Sequence, residues 1–255
     1  MYQTDPPRPA RDYLPTMYDL PSEDPQEPGL PDEFHDFQPQ LLRETFCPPE
    51  YGRDEVFVAA DMNLYFDVHH PQWYKRPDWF AVVGVSRLYE QRDLRLSYVI
   101  WQEGVSPFIV VELLSPSTEK EDLGQTLREV NQLPTKWEVY QNILRVPYYV
   151  LFDHNRDRLR AFALRGAQYQ EVDLEADRLW LPELKLGLGL WQGSFQDIER
   201  LWLRWYDPIG QWLPTSLESA EQQRERAEQE KQRADREHQR ADRLAERLRQ
   251  SGIEE

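Results

Sequence analysis

Residues 108–118 read Phe-Ile-Val-Val-Glu-Leu-Leu-Ser-Pro-Ser-Thr. An apolar, β-branched run of this length that ends at a turn signal predicts a central strand buried on both faces of a sheet. The run contains one acid, Glu112. An ionised carboxylate is costly to bury unless it is paired or binds a metal. Two interpretations of Glu112 therefore stay open, a buried ion pair with an Arg or Lys and a metal ligand.

The composition restricts the class of protein. The chain has 255 residues, enough for one sizeable core with extensions. Its formal net charge is −16, which argues against non-specific electrostatic binding to a nucleic-acid backbone. Cys47 is the only cysteine, so no intrachain disulfide can form. Because we find neither a long apolar run nor a signal-peptide pattern, we expect a cytoplasmic protein that does not span a membrane.

Three segments differ in composition. Residues 1–40 contain many acids and nine of the 20 prolines, which predicts an extended, proline-rich N-terminal arm without its own core. Residues 41–215 carry the patterns of a folded domain. Residues 216–255 repeat alanine every seventh position from Ala220 to Ala241 among Glu, Arg and Gln, which predicts a long C-terminal helix. The alanine seam is narrow and polar, so both a single solvated helix and a weak coiled coil that joins a homo-oligomer stay open.

Apolar runs between turn signals locate the strands of the folded domain. We expect strands near 56–60, 64–68, 79–84, 108–114, 147–153, 158–164, 168–173, 178–181, 186–191 and 198–206. Two helices are expected after the Glu112 strand, one over about 118–132 and one over 136–143 with Thr135 as its cap.

Three polar residues stand at the edges of this predicted core: Asp78, Glu112 and Lys136. Two carboxylates on adjacent strands can hold a hard cation such as Mg²⁺ through oxygen. A nearby ammonium can orient an attacking water and offset phosphate charge. From spacing alone, Asp78 fits equally a polar residue at a strand start, and Lys136 fits a solvated helix residue.

Several motifs together resemble the Uma2 family, a group of restriction-endonuclease-like proteins in the PD-(D/E)XK nuclease superfamily. The resemblance covers about residues 50–215. It rests on Pro77-Asp78 before an apolar strand, Glu112-Leu-Leu-Ser-Pro-Ser-Thr118, Asp122-Leu-Gly124, Lys136-x-x-x-Tyr140, Val146-Pro-Tyr-Tyr149 and Phe152-Asp153.

The resemblance implies an α/β fold, a restriction-endonuclease-like mixed β-sheet core flanked by helices. It also implies a DNA substrate and a divalent metal, Mg²⁺ or Mn²⁺. The metal ligands would be the carboxylates of Asp78 and Glu112 and the main-chain carbonyl of Leu113. These residues would lie where two central strands diverge.

The catalytic lysine is where this chain departs from the superfamily pattern. Leu114 stands at the position of the motif's lysine, and in the Uma2 family the following helix supplies that lysine. This helix carries an insertion here, and Thr126 stands at the uninserted spacing. Lys136 restores the Lys-x-x-x-Tyr pattern beyond the insertion, so we assign it the role and keep Lys120 as the alternative.

Two functions follow, and each has support in the sequence. The first is a Mg²⁺-dependent DNA endonuclease, favoured because both carboxylates stand in otherwise apolar settings. The second is a non-catalytic nuclease-fold scaffold that assembles through its terminal extensions, favoured by the acidic charge and the displaced lysine.

The pair His69-His70 suggests a metal or a general base, but it precedes a proline in a loop and has no third ligand at a known spacing. Trp73 and Trp79 are candidates for stacking on a base or for packing.

Overall fold

The computed structural model describes residues 32–115, 122–125 and 132–250. In chain order the strands are β1 (Val56–Ala59), β2 (Leu64–Tyr65), β3 (Tyr74–Lys75), β4 (Trp79–Val83), β5 (Tyr98–Val99), β6 (Ile109–Leu113), β7 (Tyr148–Asp153), β8 (Arg158–Arg165), β9 (Gln168–Glu171), β10 (Arg178–Leu181), β11 (Leu186–Phe195) and β12 (Ile198–Tyr206). The helices are α1 (Phe34–Thr45), α2 (Ile100–Glu103), α3 (Lys136–Glu138) and α4 (Ser216–Gln250), with a 3₁₀ turn at Arg53–Glu55 and a π-helical turn at Val139–Ile143 directly after α3.

The central sheet has six strands in the order β1-β4-β6-β7-β8-β9. Its β6–β7 pair is parallel, and its other pairs are antiparallel. Parallel neighbours need a crossover connection, usually helical, and the connection from β6 to β7 contains α3. Two three-stranded sheets, β10-β11-β12 and β3-β2-β5, complete the strands. The α/β class and the mixed, restriction-endonuclease-like sheet are therefore confirmed.

Both faces of the central sheet are covered, and β6 and β7 are buried along their whole length. Side chains alternate between faces along a strand. Ile109, Val111 and Leu113 of β6 belong to the apolar cluster that also contains residues of α1 and of the β10-β11-β12 sheet. Val110 and Leu114 belong to the cluster on the other face, together with Val139 and Tyr140 beyond α3.

Helix α1 overlaps the predicted extended arm, and residues 34–40 are helical rather than extended. Pro39 lies inside the helix, so one hydrogen bond to the preceding turn is missing. Packing outweighs that loss, because Leu41 and Leu42 are fully buried. The Gln38 side chain also donates to the Leu203 carbonyl at 2.9 Å and accepts from the Leu203 amide at 2.8 Å. Residues 1–31 of the arm lie outside the described residues.

The chain divides after Leu213 into two units. The second contains α4, the predicted long C-terminal helix. A capping box begins it: the Glu218 amide donates to the Thr215 hydroxyl, and a Glu218 carboxylate oxygen accepts from the Thr215 amide. The limits of the predicted arm, folded domain and tail stay predictions. Of the described helices, none combines the length and the apolar character that crossing a membrane requires.

Candidate active site

Strands β4 and β6 bring Asp78 and Glu112 together. Trp79 pairs with Val111 across the two strands, so continuing the register by one residue sets Asp78 opposite Glu112. The Asp78 amide donates to Glu112 Oε2 at 3.3 Å. Asp78 Oδ2 in turn accepts from the Leu113 amide at 2.6 Å. The two acids therefore lie side by side at one end of the neighbouring strands β4 and β6, and each carboxylate accepts a hydrogen bond from a main-chain amide at the other strand.

Glu112 is fully buried, and both of its carboxylate oxygens accept hydrogen bonds. Its Oε1 accepts from the Tyr140 hydroxyl at 2.8 Å. Its Oε2 accepts from the Lys136 ammonium at 2.9 Å. The carboxylate that stood out in the apolar run of β6 is therefore both paired and hydrogen-bonded, as a buried charge requires.

The crossover connection supplies Lys136. Thr135 begins α3 as its cap, and its hydroxyl accepts from the Glu138 amide. Lys136 and Tyr140 are four residues apart, so both side chains reach Glu112 from one face. Lys136 Nζ also lies 3.1 Å from Asp122 Oδ1. The Lys136 side chain keeps 15 % of its surface exposed, and Asp78 is half-buried, so these two residues open the cluster to solvent.

Burial and charge set the protonation of the cluster. Burial raises the pKa of Glu112 well above its usual value, and Asp78 and Asp122 raise it further against the opposing effect of Lys136. Burial alone would lower the pKa of Lys136, but its three carboxylate neighbours raise it well above the ordinary value. Lys136 therefore keeps its proton, so it can donate a hydrogen bond and offset negative charge but does not act as a base.

The donor set fits a hard divalent cation. Asp78, Glu112 and Asp122 offer carboxylate oxygens, and oxygen is what Mg²⁺ prefers. With all three carboxyl groups ionised, the cluster would hold three negative charges against the one positive charge of Lys136, and a divalent cation would neutralise the excess and favour the ionised form of Glu112. The Leu113 carbonyl accepts from His35 Nε2 at 3.1 Å. Since a carbonyl oxygen has two lone pairs, that hydrogen bond leaves one free for a metal.

Sequence reasoning gave no role to Asp122, Tyr140 or His35. The first two stand inside the quoted family motifs, and the four-residue spacing from Lys136 could have identified Tyr140. Asp122 is fully buried, whereas an acid near a helix start is normally a solvated residue. His35 lies in the segment predicted as an arm, and nothing in the sequence connects it to β6.

Other candidates lie elsewhere. His70 is exposed, pairs with Asp67 and stacks on Trp73 with ring centroids 3.8 Å apart. Trp79 is fully buried and packs against Phe46, so it is a core residue rather than a stacking platform. Lys120 and Thr126, the other positions considered for the lysine, lie outside the described residues, as do residues 116–118 of the turn and most of the predicted helix over 118–132.

Comparison with known protein families gives a match over most of the chain. The sequence model of the Uma2 family, described as "Putative restriction endonuclease", matches residues 15–198. Curated proteins give no match to this chain. The matched segment is well over half of the chain and contains Asp78, Glu112 and Lys136. This protein is therefore a member of the Uma2 family of restriction-endonuclease-like proteins.

Proposed function

We propose that this protein is a Mg²⁺-dependent endonuclease that hydrolyses DNA phosphodiester bonds. The carboxylates of Asp78 and Glu112 and the carbonyl of Leu113 are the ligands that would hold the metal. When bound, Mg²⁺ or Mn²⁺ supplies Lewis-acid stabilisation of the negative charge that develops on the phosphate. The observation that carries the proposal is the contact of Lys136 with Glu112, which lies opposite Asp78. The three residues meet at the ends of β4 and β6, where Asp78 and Lys136 are partly exposed to solvent.

Each residue of the site has a defined task. Lys136, which stays protonated, donates to the attacking water and offsets the charge of the phosphate. Tyr140 fixes the orientation of the Glu112 carboxylate through Oε1. Asp122 holds the ammonium from a second direction at 3.1 Å. Arg76 stands two residues before Asp78 with 38 % of its side chain exposed, and it pairs with Asp61 at 2.5 Å. It would offer a second positive charge to a DNA phosphate only by exchanging that partner.

A non-catalytic scaffold is the second candidate, and one observation favours it. Both oxygens of Glu112 already have donors, from Tyr140 on one side and from Lys136 and the Asp78 amide on the other. That arrangement also describes a structural ion pair. In this case Lys136 serves folding, and the protein acts through its terminal segments.

Plasmid nicking separates the two functions. The full chain is incubated with supercoiled plasmid in Mg²⁺, in Mn²⁺ and with a chelator, beside Asp78→Asn, Glu112→Gln and Lys136→Met. Lys185→Met is the matched control, because Lys185 is an exposed lysine paired with Glu50 at the surface. We expect metal-dependent nicking by wild type and Lys185→Met only. Equal nicking by all variants, or none by wild type in either metal, rules out the enzyme.

A further inference from the structure

A second cluster of metal-ligating side chains lies where α1 meets the end of β7. It contains Asp32, His35 and His154, and one ligand atom from each lies within 4.8 Å of the other two. His35 Nδ1 lies 2.7 Å from Asp32 Oδ1. His154 Nε2 lies 3.2 Å from Asp32 Oδ2. One carboxylate thus bridges two imidazoles that are 119 positions apart in the sequence.

We propose that Asp32, His35 and His154 form a second metal site, which takes a transition-metal ion of the Zn²⁺ type. Two imidazole nitrogens and one carboxylate oxygen are ligands that Zn²⁺ accepts, whereas Mg²⁺ selects oxygen alone. Ligands about 2.0–2.2 Å from one Zn²⁺ in a tetrahedron lie about 3.3–3.6 Å apart. One ligand atom from each of the three residues lies within 4.8 Å of the other two, so side-chain shifts of about 1 Å would bring them to that spacing. This site is chemically distinct from the all-oxygen cluster around Glu112.

The surroundings of His35 match those of a metal ligand. Its side chain is 2 % exposed, and its Nε2 faces the Leu113 carbonyl, which can only accept. The proton therefore stays on Nε2, and Nδ1 is left for the metal. A ligating histidine usually donates its second N–H to a carboxylate or a main-chain carbonyl in this way. Nδ1 faces Asp32 Oδ1 at 2.7 Å, so a metal ion bound there would lie beside the carboxylate.

His154 is held by packing. Phe34 stacks on its ring with centroids 4.3 Å apart, and its side chain is 8 % exposed. Ligation through Nε2 puts the ring proton on Nδ1, which is buried and has no hydrogen-bond partner among the described residues. We therefore expect His154 to be the weaker of the two imidazole ligands. Asp32 is 39 % exposed on its side chain, so a metal ion could enter there and keep a water as its fourth ligand.

The metal would join α1 to the end of β7. Asp32 and His35 precede and begin α1, and His154 follows β7 directly. His35 also reaches β6 through the Leu113 carbonyl. The inference does not depend on the proposed nuclease activity, because no ligand of this site takes part in the chemistry at Glu112.

The test measures Zn²⁺ binding by the full chain carrying Asp78→Asn, so that the carboxylate cluster does not compete. Titration calorimetry gives the affinity and stoichiometry, and the visible absorption of bound Co²⁺ gives the coordination geometry. The variants are His35→Gln, His154→Gln and Asp32→Asn. The matched control is His69→Gln/His70→Gln/His238→Gln, which replaces the other three of the five histidines.

We expect one Zn²⁺ per chain and a tetrahedral Co²⁺ spectrum. Each ligand variant should weaken binding by at least about 10-fold, with the largest loss in His35→Gln, since even outer-shell changes cost about 10–100-fold. The triple control should bind like its parent. Should His35→Gln fail to fold, the half-exposed Asp32→Asn decides the outcome. The proposal is overturned if the ligand variants bind Zn²⁺ as tightly as the parent, or if the triple control loses binding. It is also overturned if the parent shows only weak, non-stoichiometric binding, which would mean an adventitious ion only.

Discussion

Lys136 Nζ lies 2.9 Å from Glu112 Oε2, although the two residues are 24 positions apart and belong to a helix and a buried strand. Asp122 Oδ1 lies 3.1 Å from the same Lys136 Nζ. Lys136 thus stands between two buried acids whose charges repel each other. Removing the lysine and removing one acid should therefore have different consequences for folding.

Glu112→Gln should abolish nicking and leave the fold intact. The change removes an expensive buried charge, and Lys136 keeps Asp122 as a partner. The amide keeps an oxygen for Lys136 and the Asp78 amide, whereas the Tyr140 hydroxyl loses its charged acceptor. Because removal of the buried charge offsets part of that loss, the free energy of unfolding should fall by about 1 kcal/mol. Urea unfolding and plasmid nicking measure the two effects. A stability loss above about 3 kcal/mol would identify Glu112 as a structural ion-pair partner.

Lys136→Met should destabilise the protein more strongly. It leaves Glu112 and Asp122 buried without a cation, and such a broken pair costs about 3–5 kcal/mol. Adding Glu112→Gln to Lys136→Met should recover part of this loss, since removing both partners is cheaper than removing one. A double-mutant cycle by urea unfolding tests this, and strictly additive stability losses would contradict the coupling.

Tyr140→Phe should lower nicking more than Tyr169→Phe. Both hydroxyls are buried, but Tyr140 donates to Glu112 Oε1 and Tyr169 donates to the Val146 carbonyl. Loss of a hydrogen bond to a charged group costs about 1.5–3 kcal/mol, against about 1 kcal/mol for a neutral one. Nicking rates and urea unfolding on the two variants measure the difference. Equal nicking by both variants would show that Tyr140 does not orient Glu112.

Gly124→Ala should displace the start of α3. The residue has φ +67°, and an added Cβ would come 2.8 Å from Trp137 Cγ. Trp137 is the neighbour of Lys136, so we expect lower nicking as well as lower stability. Gly104→Ala is the control, because Gly104 has φ +73° and open space at the Cβ position. Its loss should be the backbone strain alone, about 1 kcal/mol. If urea unfolding gave the same loss of unfolding free energy for Gly124→Ala and Gly104→Ala, the Trp137 side chain would have moved aside without destabilising the protein.

The sequence predicted the family and all six strands of the central sheet, because long apolar runs constrain that sheet strongly. The two-residue strand β3 (Tyr74–Lys75) was not predicted, since it contains no apolar run. Lys136 was assigned from the Lys-x-x-x-Tyr motif, and the structure brings it to Glu112. The π-helical turn after α3 was not foreseen, since it depends on packing that the 3.6-residue pattern does not encode.

The N-terminal region was harder to predict. Pro39 and the acids around it are typical of an extended arm, yet α1 forms because Leu41 and Leu42 become buried. Intrinsic propensity is a weak signal that tertiary packing overrides. The cluster of Asp32, His35 and His154 could not be foreseen either, because His154 joins it only through the position of β7 in the folded sheet.

Leu113 connects the two groups of polar residues without using its side chain. Its amide donates to Asp78 Oδ2, and its carbonyl accepts from His35 Nε2. A leucine-to-alanine scan would leave both bonds in place and report only the loss of apolar packing at 113. Side-chain substitution at this position therefore cannot test the main-chain link between Asp78 and His35, and only replacement of the peptide group itself, for example by an ester, would do so.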